Sequence, residues 1–396
     1  MMIKNTAIID IGSNSIKTFV IDQEEKYSKI VGFDKSMSNG FDGNKINNFD
    51  TFVDSIKNSI NKAQKQSSSK VKNIILITPT SKNKNHLISE VIELNGAQIE
   101  DNHLRQLNKS MIIKYKTKLT HCFKSHYVID NKIITDSPIG INCGSLSLNA
   151  IATIISDEEI KLFKNIFSKI GLNLIFIYDS SIIYYLYLKS LNLHKKNIVF
   201  IDIGSSTTKI LTIKDEKISL LKTLPIGSMN ITNDLMTLNI SKDFAEKIKT
   251  KNIDLILNDH SSVEIPVWEE LGKNQKQTKS YEFIQSIVTA RVDEIFKLVL
   301  SSIPKSKFFY SYLVTGGGSM QLNLIPYVKS KFGIELELVE PKQVKGIPTF
   351  WNNPSIMLPF CLNSLIENGY IDKFNLFKKN DSFSNKIWYK RFVDLL

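Results

Sequence analysis

Two stretches of this sequence share one pattern. Residues 7–17 read AIIDIGSNSIK and residues 199–209 read VFIDIGSSTTK, so in each an apolar, strand-like run ends in Asp-Ile-Gly-Ser and leads into another strand. Asp-x-Gly is common at ordinary hairpin turns, and a single copy would indicate little. Two copies in the same strand–turn–strand setting, one in each half of the chain, predict an α/β protein built from two equivalent lobes.

Each copy also predicts a phosphate-binding turn. Gly12 and Gly204 carry no Cβ atom and are followed by small hydroxyl and amide residues, so backbone N–H groups can approach phosphate oxygens closely. Asp10 and Asp202 end the preceding strands and are placed to hold waters of a phosphate-bound Mg²⁺.

A third glycine-rich element, FYSYLVTGGGSMQLNLIPYVKSKFG, spans residues 309–333. It reads as a strand, then Gly316, Gly317 and Gly318, then a helical pattern. The glycines free the backbone to pass close to a flat or charged group, and the N-terminus of the helix favours a phosphate or ribose. A tight strand-to-helix turn is the simpler interpretation, but such a turn rarely needs three glycines.

Length and composition indicate a globular protein. The chain has 396 residues, of which 42% are hydrophobic and 10% aromatic, enough for sizeable cores. The longest apolar run, residues 172–188, is interrupted by Asp179 and two serines, so we expect no membrane-spanning helix. The start of the chain has no signal-peptide pattern, which predicts a protein that stays in the compartment where it is made.

The net charge of +12 is spread along the chain and interleaved with acidic residues, a pattern that argues against nucleic acid as a partner. It remains compatible with attraction to an anionic membrane. Cys122, Cys143 and Cys361 have no metal-binding or disulfide spacing and indicate reduced structural thiols. His121 and His126 flank Cys122, and we interpret that segment as a strand with mixed faces rather than a metal site.

The order of the three loops resembles the actin-like ATPase superfamily of actin, chaperones, sugar kinases and polyphosphatases. Within it, the chain is most similar to the FtsA family of bacterial cell-division proteins. The likeness spans nearly the whole chain and includes HCFKSHYVIDNKIITDSPIGINCGSLSLNAIATII (121–155), LPIGSMNITNDLMTLNISKDFAEKIK (224–249), TARVDEIFKLV (289–299) and GIPTFWNNPSIMLPFCL (346–362).

The resemblance implies a two-lobed actin-like fold, a duplicated ribonuclease H-like α/β fold, that binds ATP and Mg²⁺ between its lobes. The implied nucleotide-binding residues are Asp10, Gly12, Ser13, Asn14, Asp202, Gly204, Ser205, Ser206, Thr207, Glu246, Lys249, Gly316, Gly317, Gly318 and Met320. Asp10 and Asp202 would hold Mg²⁺ through water. A solvated ion pair on a helix surface is the alternative interpretation of Glu246 and Lys249.

The first loop departs from the family pattern. The family often has Lys three residues after the glycine, where this chain has Ser15, and Lys17 follows two positions further on. If Lys17 does not substitute, the affinity for nucleotide or the rate of hydrolysis should fall. We expect at most weak ATPase activity, since no water-orienting residue stands out. Asp179 is the nearest candidate, and a helix N-cap is the other interpretation of it.

The resemblance further implies four subdomains with an inserted subdomain 1C. The expected boundaries are 1–78, 159–196 and 346–372 for 1A, 79–158 for 1C, 197–226 and 291–345 for 2A, 227–290 for 2B, 373–385 for a linker and 386–396 for a terminal helix. Subdomain 1C would mediate self-association into actin-like filaments, and 2B would bind the C-terminal peptide of the tubulin-like protein FtsZ. Other proteins of the division machinery are further implied partners.

The C-terminal segment NKIWYKRFVDLL (385–396) forms an amphipathic pattern. On a helical projection one arc is apolar and the other holds Lys386, Lys390, Arg391 and Asp394, with Ile387 off the apolar arc. A last core helix is one interpretation. With Ser384 as N-cap, the resemblance favours an anchor to an anionic membrane. The membrane-binding residues would be Trp388, Tyr389, Lys390, Arg391, Phe392, Val393, Leu395 and Leu396.

We therefore expect an adaptor at the cytoplasmic face of the membrane, at the division septum, that tethers FtsZ filaments. Two rival interpretations stay open. A PilM-like pilus-assembly adaptor fits the first loop but needs no lipid-binding tail. An exopolyphosphatase or guanosine pentaphosphate phosphatase would need a Ser-Gly-x-Glu-Glu-Ala stretch, which the sequence lacks. A sugar kinase is compatible with the fold alone.

Overall fold

The structure is a computed structural model, and it describes most of the chain. The described ranges are 5–24, 27–43, 45–67, 70–78, 84–115, 121–257, 262–266, 276–304, 309–342 and 347–371. The expected linker at 373–385 and the expected terminal helix at 386–396, with all of its membrane-binding residues, lie outside these ranges.

The first lobe is built on a five-stranded mixed sheet with the strand order β3-β2-β1-β4-β9. Its central strand, β1, is buried along its whole length; it pairs antiparallel with β2 and parallel with β4. The strands are β1 (Thr6–Ile11), β2 (Ser15–Glu24), β3 (Tyr27–Met37), β4 (Asn73–Ile77) and β9 (Asn173–Tyr178).

The second lobe repeats this sheet. Its strand order is β12-β11-β10-β15-β16. The central strand β10 pairs antiparallel with β11 and parallel with β15, as β1 does with β2 and β4. Asp10 lies opposite Lys17 in the first sheet, and Asp202 lies opposite Lys209 in the second. The duplication predicted from the two sequence copies is therefore confirmed. The strands are β10 (Ile198–Ile203), β11 (Thr208–Lys214), β12 (Lys217–Leu224), β15 (Ser311–Thr315) and β16 (Leu336–Leu338).

A separate four-stranded sheet is inserted into the first lobe, between β4 and β9 in the sequence. Its order is β5-β8-β6-β7, and helix α2 covers one face with Leu107 and Met111 in a core of its own. Cys122 and His126 lie on β6, so the expected strand is confirmed. The elements are β5 (Lys84–Glu93), α2 (Asp101–Tyr115), β6 (His121–Ile129), β7 (Ile133–Thr135) and β8 (Ser145–Ile154).

Two helices, α4 (Ser180–Ser190) and α9 (Met357–Glu367), form the layer between the lobes. The apolar run at 172–188 divides into β9 and α4, because Asp179 caps α4 by accepting a hydrogen bond from the Ser181 amide at 2.8 Å. Tyr185 of α4 and Leu362 of α9 pack into one core with Phe19 and Phe200 from the two sheets. Within the described ranges, no helix is both long and apolar enough to cross a bilayer.

Further helices, a hairpin and short helical turns complete the two lobes. Helix α7 is continuous across the expected boundary between residues 290 and 291. Within the described ranges the helices other than α2 are α1 (Phe49–Gln64), α3 (Asp157–Lys169), α4 (Ser180–Ser190), α5 (Ser228–Met236), α6 (Lys242–Lys247), α7 (Tyr281–Ser302), α8 (Leu324–Phe332) and α9 (Met357–Glu367). A hairpin of β13 (Ser262–Pro266) and β14 (Lys276–Ser280) precedes α7. Short helical turns occupy Leu193–Lys195, Ile248–Asn252, Gly317–Met320, Thr349–Trp351 and Pro354–Ile356.

Candidate nucleotide-binding site

A cavity of about 400 Å³ lies between the two lobes, and the three predicted loops meet in its wall. Every residue expected to bind nucleotide lines it. These residues are Asp10, Gly12, Ser13, Asn14, Asp202, Gly204, Ser205, Ser206, Thr207, Glu246, Lys249, Gly316, Gly317, Gly318 and Met320. The structure thus brings together in space residues that lie as far apart in the sequence as Asp10 and Met320.

The two phosphate loops have the same backbone geometry. The Gly12 amide donates to the Ser15 carbonyl at 2.9 Å, and the Gly204 amide donates to the Thr207 carbonyl at 2.9 Å. Each loop is therefore the same hairpin turn, closed by the same hydrogen bond. The second loop also contacts the first lobe across the cleft, where the Ser206 hydroxyl donates to the carbonyl of Asp42, a residue that follows β3, at 3.2 Å.

Lys17 lies at the first loop although Ser15 stands where the family often has Lys. The two residues are two apart on β2, so their side chains point to the same side of the sheet. The Lys17 amino group donates to Asp10 Oδ2 at 2.7 Å, and both side chains line the cavity. A cation is therefore present beside the first loop despite the departure at position 15.

Asp202 is buried at the base of the cleft and is held by a residue that the sequence did not indicate. The Tyr184 hydroxyl on α4 donates to Asp202 Oδ2 at 3.0 Å. Burial raises the pKa of Asp202, while the nearby Lys209 and the hydrogen bond from Tyr184 act in the opposite direction. Burial and the Asp202 charge also raise the pKa of Tyr184, so its hydroxyl stays a proton donor.

The three consecutive glycines do not have one common role. A Cβ atom at Gly316 would lie 2.2 Å from Asp202 Oδ1, and one at Gly318 would lie 2.4 Å from Ile203 Cγ2. At Gly317 the nearest atom is 3.8 Å away, on Ser355. Two glycines therefore let the loop pack against the end of β10, and only the middle one leaves open space beside the cavity.

Glu246 and Lys249 form an ion pair in which the lysine is buried and the glutamate is partly exposed. Lys249 is only 5% exposed, and its amino group donates to Glu246 Oε1 at 2.7 Å and to Thr232 Oγ1 at 2.7 Å. Burial lowers the pKa of Lys249, and Glu246 opposes this shift. The pair is thus fixed in place on the second-lobe wall of the cavity.

The site has polar groups without partners of their own. Asn14 Oδ1 and Ser205 Oγ, one in each phosphate loop, are buried and make no hydrogen bond within the described part of the chain. Buried polar atoms are normally satisfied, so such atoms in a cavity wall fit a polar ligand. Asp10 and Asp202 add two carboxylates, which fits an octahedral Mg²⁺ that keeps most of its waters.

The cavity also contains residues that were not predicted. These are chiefly the cations Lys35 and Lys209, the donor Tyr184, and Thr78, Gln321 and Ser355. Lys209 could have been found, because it follows Asp202 at the same offset as Lys17 follows Asp10. Asp179, the candidate for orienting the attacking water, is not among the described residues that line the cavity; it is the N-cap of α4, as the alternative interpretation had it.

The family model of cell division protein FtsA matches residues 199–358. Among curated proteins, the chain is 22% identical over 357 residues to cell division protein FtsA of Neisseria meningitidis, covering 86% of this chain and 85% of that one. It is 24% identical over 392 residues to FtsA of Borreliella burgdorferi, covering 94% and 93% of the two chains.

Solved structures with the same fold include the PilM–PilN type IV pilus biogenesis complex, with a TM-score of 0.59 at 12% identity over 93% of this chain and 99% of that one. MreB5 of Spiroplasma citri bound to ADP has a TM-score of 0.55 at 12% identity, covering 93% and 98%. At such identities the likeness concerns the fold alone.

The duplicated sheets, the two hairpin loops and these structural neighbours define the chain as a two-lobed protein of the actin-like ATPase fold. Within that class the chain is similar in sequence to cell division protein FtsA of several bacteria, so the resemblance to the FtsA family is confirmed.

Proposed function

We propose that this chain is an actin-like cell-division protein that binds ATP with Mg²⁺ between its lobes and tethers FtsZ filaments to the cytoplasmic membrane at the division septum. The observation that carries the proposal is the meeting of both phosphate loops and the glycine loop (residues 316–318) at one cavity in a relative of FtsA. The ADP complex of MreB5, which shares the fold, supports nucleotide as the ligand.

In this proposal the nucleotide phosphates lie between the two hairpin loops. Backbone N–H groups of both turns and the hydroxyl of Ser205 face them, and Lys17 supplies positive charge. Asp10 and Asp202 would hold Mg²⁺ through water, and the metal would neutralise phosphate charge. Gly317, Met320, Glu246 and Lys249 would border the adenosine. Nucleotide then acts mainly by fixing the lobes, with at most weak hydrolysis.

The inserted sheet is the proposed self-association surface, corresponding to subdomain 1C. Leu87 and Val91 lie on the same face of the edge strand β5 and are 54% and 53% exposed. An edge strand with exposed apolar side chains is a ready site for pairing with another chain. This supports an actin-like filament in which the inserted sheet contacts the next protomer.

The segment expected to be subdomain 2B is the proposed receptor for the C-terminal peptide of FtsZ. Ile256, Leu257 and Phe283 are large apolar side chains there, each 45% or more exposed. Exposed apolar side chains of this kind serve as anchors for short peptides. Other proteins of the division machinery would gather on the same filament.

The proposed membrane anchor is the amphipathic segment at 386–396, which is argued from the sequence alone. A helix of this length is marginal in water and should fold on the lipid surface, where one copy binds weakly. A filament would present many copies together and raise the avidity without any new contact.

The direct test of the anchor is co-sedimentation with anionic liposomes in ATP and Mg²⁺, comparing the full chain with one ending at Ser384. The proposal expects only the full chain to pellet. If neither pellets, the tail is a core or protein-contact element, and an adaptor without a lipid-binding tail, like PilM, becomes the better description. Liposomes of neutral lipid control for the electrostatic contribution.

A further inference from the structure

Lys35 is a cation at the cleft whose equivalent position in the second sheet is a threonine. Across the first sheet, Lys35 on β3 lies opposite Lys17 on β2, which lies opposite Asp10 on β1. In the second sheet the same row is Thr223, Lys209 and Asp202. Lys35 is therefore an addition to the duplicated framework rather than a part of it.

The charge of Lys35 has no acidic counterpart in the described part of the chain. Its amino group donates to Ser355 Oγ at 2.8 Å and lies 5.1 Å from the centroid of the Trp351 ring. The only carboxylate of the row, Asp10, is already paired with Lys17 at 2.7 Å. Like charges directly opposite each other on neighbouring strands destabilise a sheet, so the row holds an excess of positive charge.

The surroundings of Lys35 disfavour its charged form. Burial and the charge of Lys17 lower the pKa of Lys35 to about 8. Lys35 nevertheless lines the cavity, so the excess charge faces the space in which the ligand would lie.

The position of Lys35 along the cleft indicates which part of a ligand it would meet. Its partner Ser355 borders Gly317 of the glycine loop, with 3.8 Å between the Ser355 Cβ and a Cβ built at Gly317. On its other side Lys35 neighbours Lys17 and the first phosphate loop. A group at Lys35 would thus lie between the glycine loop and the first hairpin turn, where a nucleotide's phosphate chain must pass.

We propose that Lys35, together with Lys17, forms an anion subsite that binds a phosphoryl group of the diphosphate chain of the bound nucleotide. This inference rests on the proposed nucleotide binding and adds to it a residue from outside the three loops. In the free protein, Ser355 and the Trp351 ring hold the Lys35 side chain in place. An anion at the cavity replaces the Ser355 hydroxyl as the partner of the amino group.

The test compares ADP binding, with Mg²⁺, by calorimetry for the wild type and three variants. Lys35→Met removes the charge and keeps the length, Lys35→Arg keeps the charge, and Lys29→Met makes the same charge change on an exposed part of the same strand. We expect Lys35→Met to weaken ADP binding about tenfold or more, since one charge-assisted contact is lost. Lys35→Arg should recover most of the affinity, and Lys29→Met should bind like the wild type.

A second measurement needs no substitution and so survives a variant that fails to fold. The wild type is acetylated briefly at pH 8 with and without ADP or inorganic pyrophosphate, and peptides are analysed by mass spectrometry. The inference expects both ligands to protect Lys35 and neither to protect Lys29. Protection by ADP alone would mean that the nucleoside covers Lys35, and would overturn the anion subsite.

The two proposals fail in different ways. If the wild type binds ADP but Lys35→Met binds it equally well, or ADP leaves Lys35 acetylation unchanged, the anion subsite is wrong and nucleotide binding stands. If the wild type binds neither ADP nor pyrophosphate, nucleotide binding itself is wrong and the subsite falls with it.

Discussion

Replacing Gly316 by alanine tests the construction of the site most sharply. Gly316 has φ 88° and ψ 167°, a region of backbone conformation that is essentially open to glycine only. A Cβ atom there would also lie 2.2 Å from Asp202 Oδ1 and 2.5 Å from the Ile203 carbonyl oxygen. The second neighbour is backbone of the central strand β10, so no change of side-chain rotamer relieves the overlap.

The size of the effect follows from these two contributions. Holding a non-glycine residue in this conformation costs about 1–3 kcal/mol, and forcing an extra carbon into a packed site costs about 1–3 kcal/mol more. The free energy of unfolding should therefore fall by about 2–6 kcal/mol, a large part of the roughly 5–15 kcal/mol that stabilises a typical domain. Displacement of Asp202 should also abolish Mg²⁺-dependent ADP binding.

Gly317→Ala is the matched control, because a Cβ at Gly317 meets nothing closer than 3.8 Å and its φ is not in the left-handed region. Urea unfolding followed by circular dichroism gives the stability of both variants, and calorimetry gives their ADP binding. Gly317→Ala should unfold within about 1 kcal/mol of the wild type. Equal stability of the two variants would refute the assignment of Gly316 as a packing glycine.

Three further predictions follow from the same contacts. Asp202→Asn should reduce the dependence of ADP affinity on Mg²⁺, measured by calorimetry with and without the metal, because one of the two carboxylates proposed to hold the metal is lost; an unchanged dependence would contradict this role. The free energy of unfolding of the wild type, minus that of Lys35→Met, should rise between pH 8 and pH 10.5. In this window the unfolded chain binds a proton at Lys35 that the folded chain does not. If urea unfolding shows that this difference does not change with pH, the lowered pKa of Lys35 is contradicted. Val91→Asp should leave the fold intact and prevent the formation of filaments on lipid layers, as seen in electron micrographs. The control Leu298→Asp, at a residue 39% exposed on α7, should still form filaments. Filaments in both variants would exclude the inserted sheet as the contact between protomers.

Much of the fold, and the meeting of the three loops at one cavity, could be predicted because the information is local. A strand that ends in Asp, followed by a glycine turn and a returning strand, determines the hairpin, and its second copy determines the second lobe. Each predicted binding residue belongs to such a loop or to one helical turn near it. The loops themselves needed no knowledge of distant residues.

What the sequence did not reveal depends on distant contacts. Lys35 meets Ser355 across 320 residues of sequence, and no spacing rule joins them. The roles of Gly316 and Gly318 depend on β10, which the chain reaches more than a hundred residues earlier. For Asp179 the sequence left two interpretations open, a water-orienting carboxylate and a helix N-cap, and the start of α4 shows it as a cap.

The central claim is that the chain links FtsZ to a membrane, and one sedimentation experiment tests it directly. FtsZ is mixed with anionic liposomes, ATP and Mg²⁺, and either the full chain or the chain ending at Ser384. The account predicts that FtsZ pellets with the liposomes only in the presence of the full chain. If the full chain pellets and FtsZ stays in solution, or if the shortened chain recruits FtsZ equally well, the tether is contradicted.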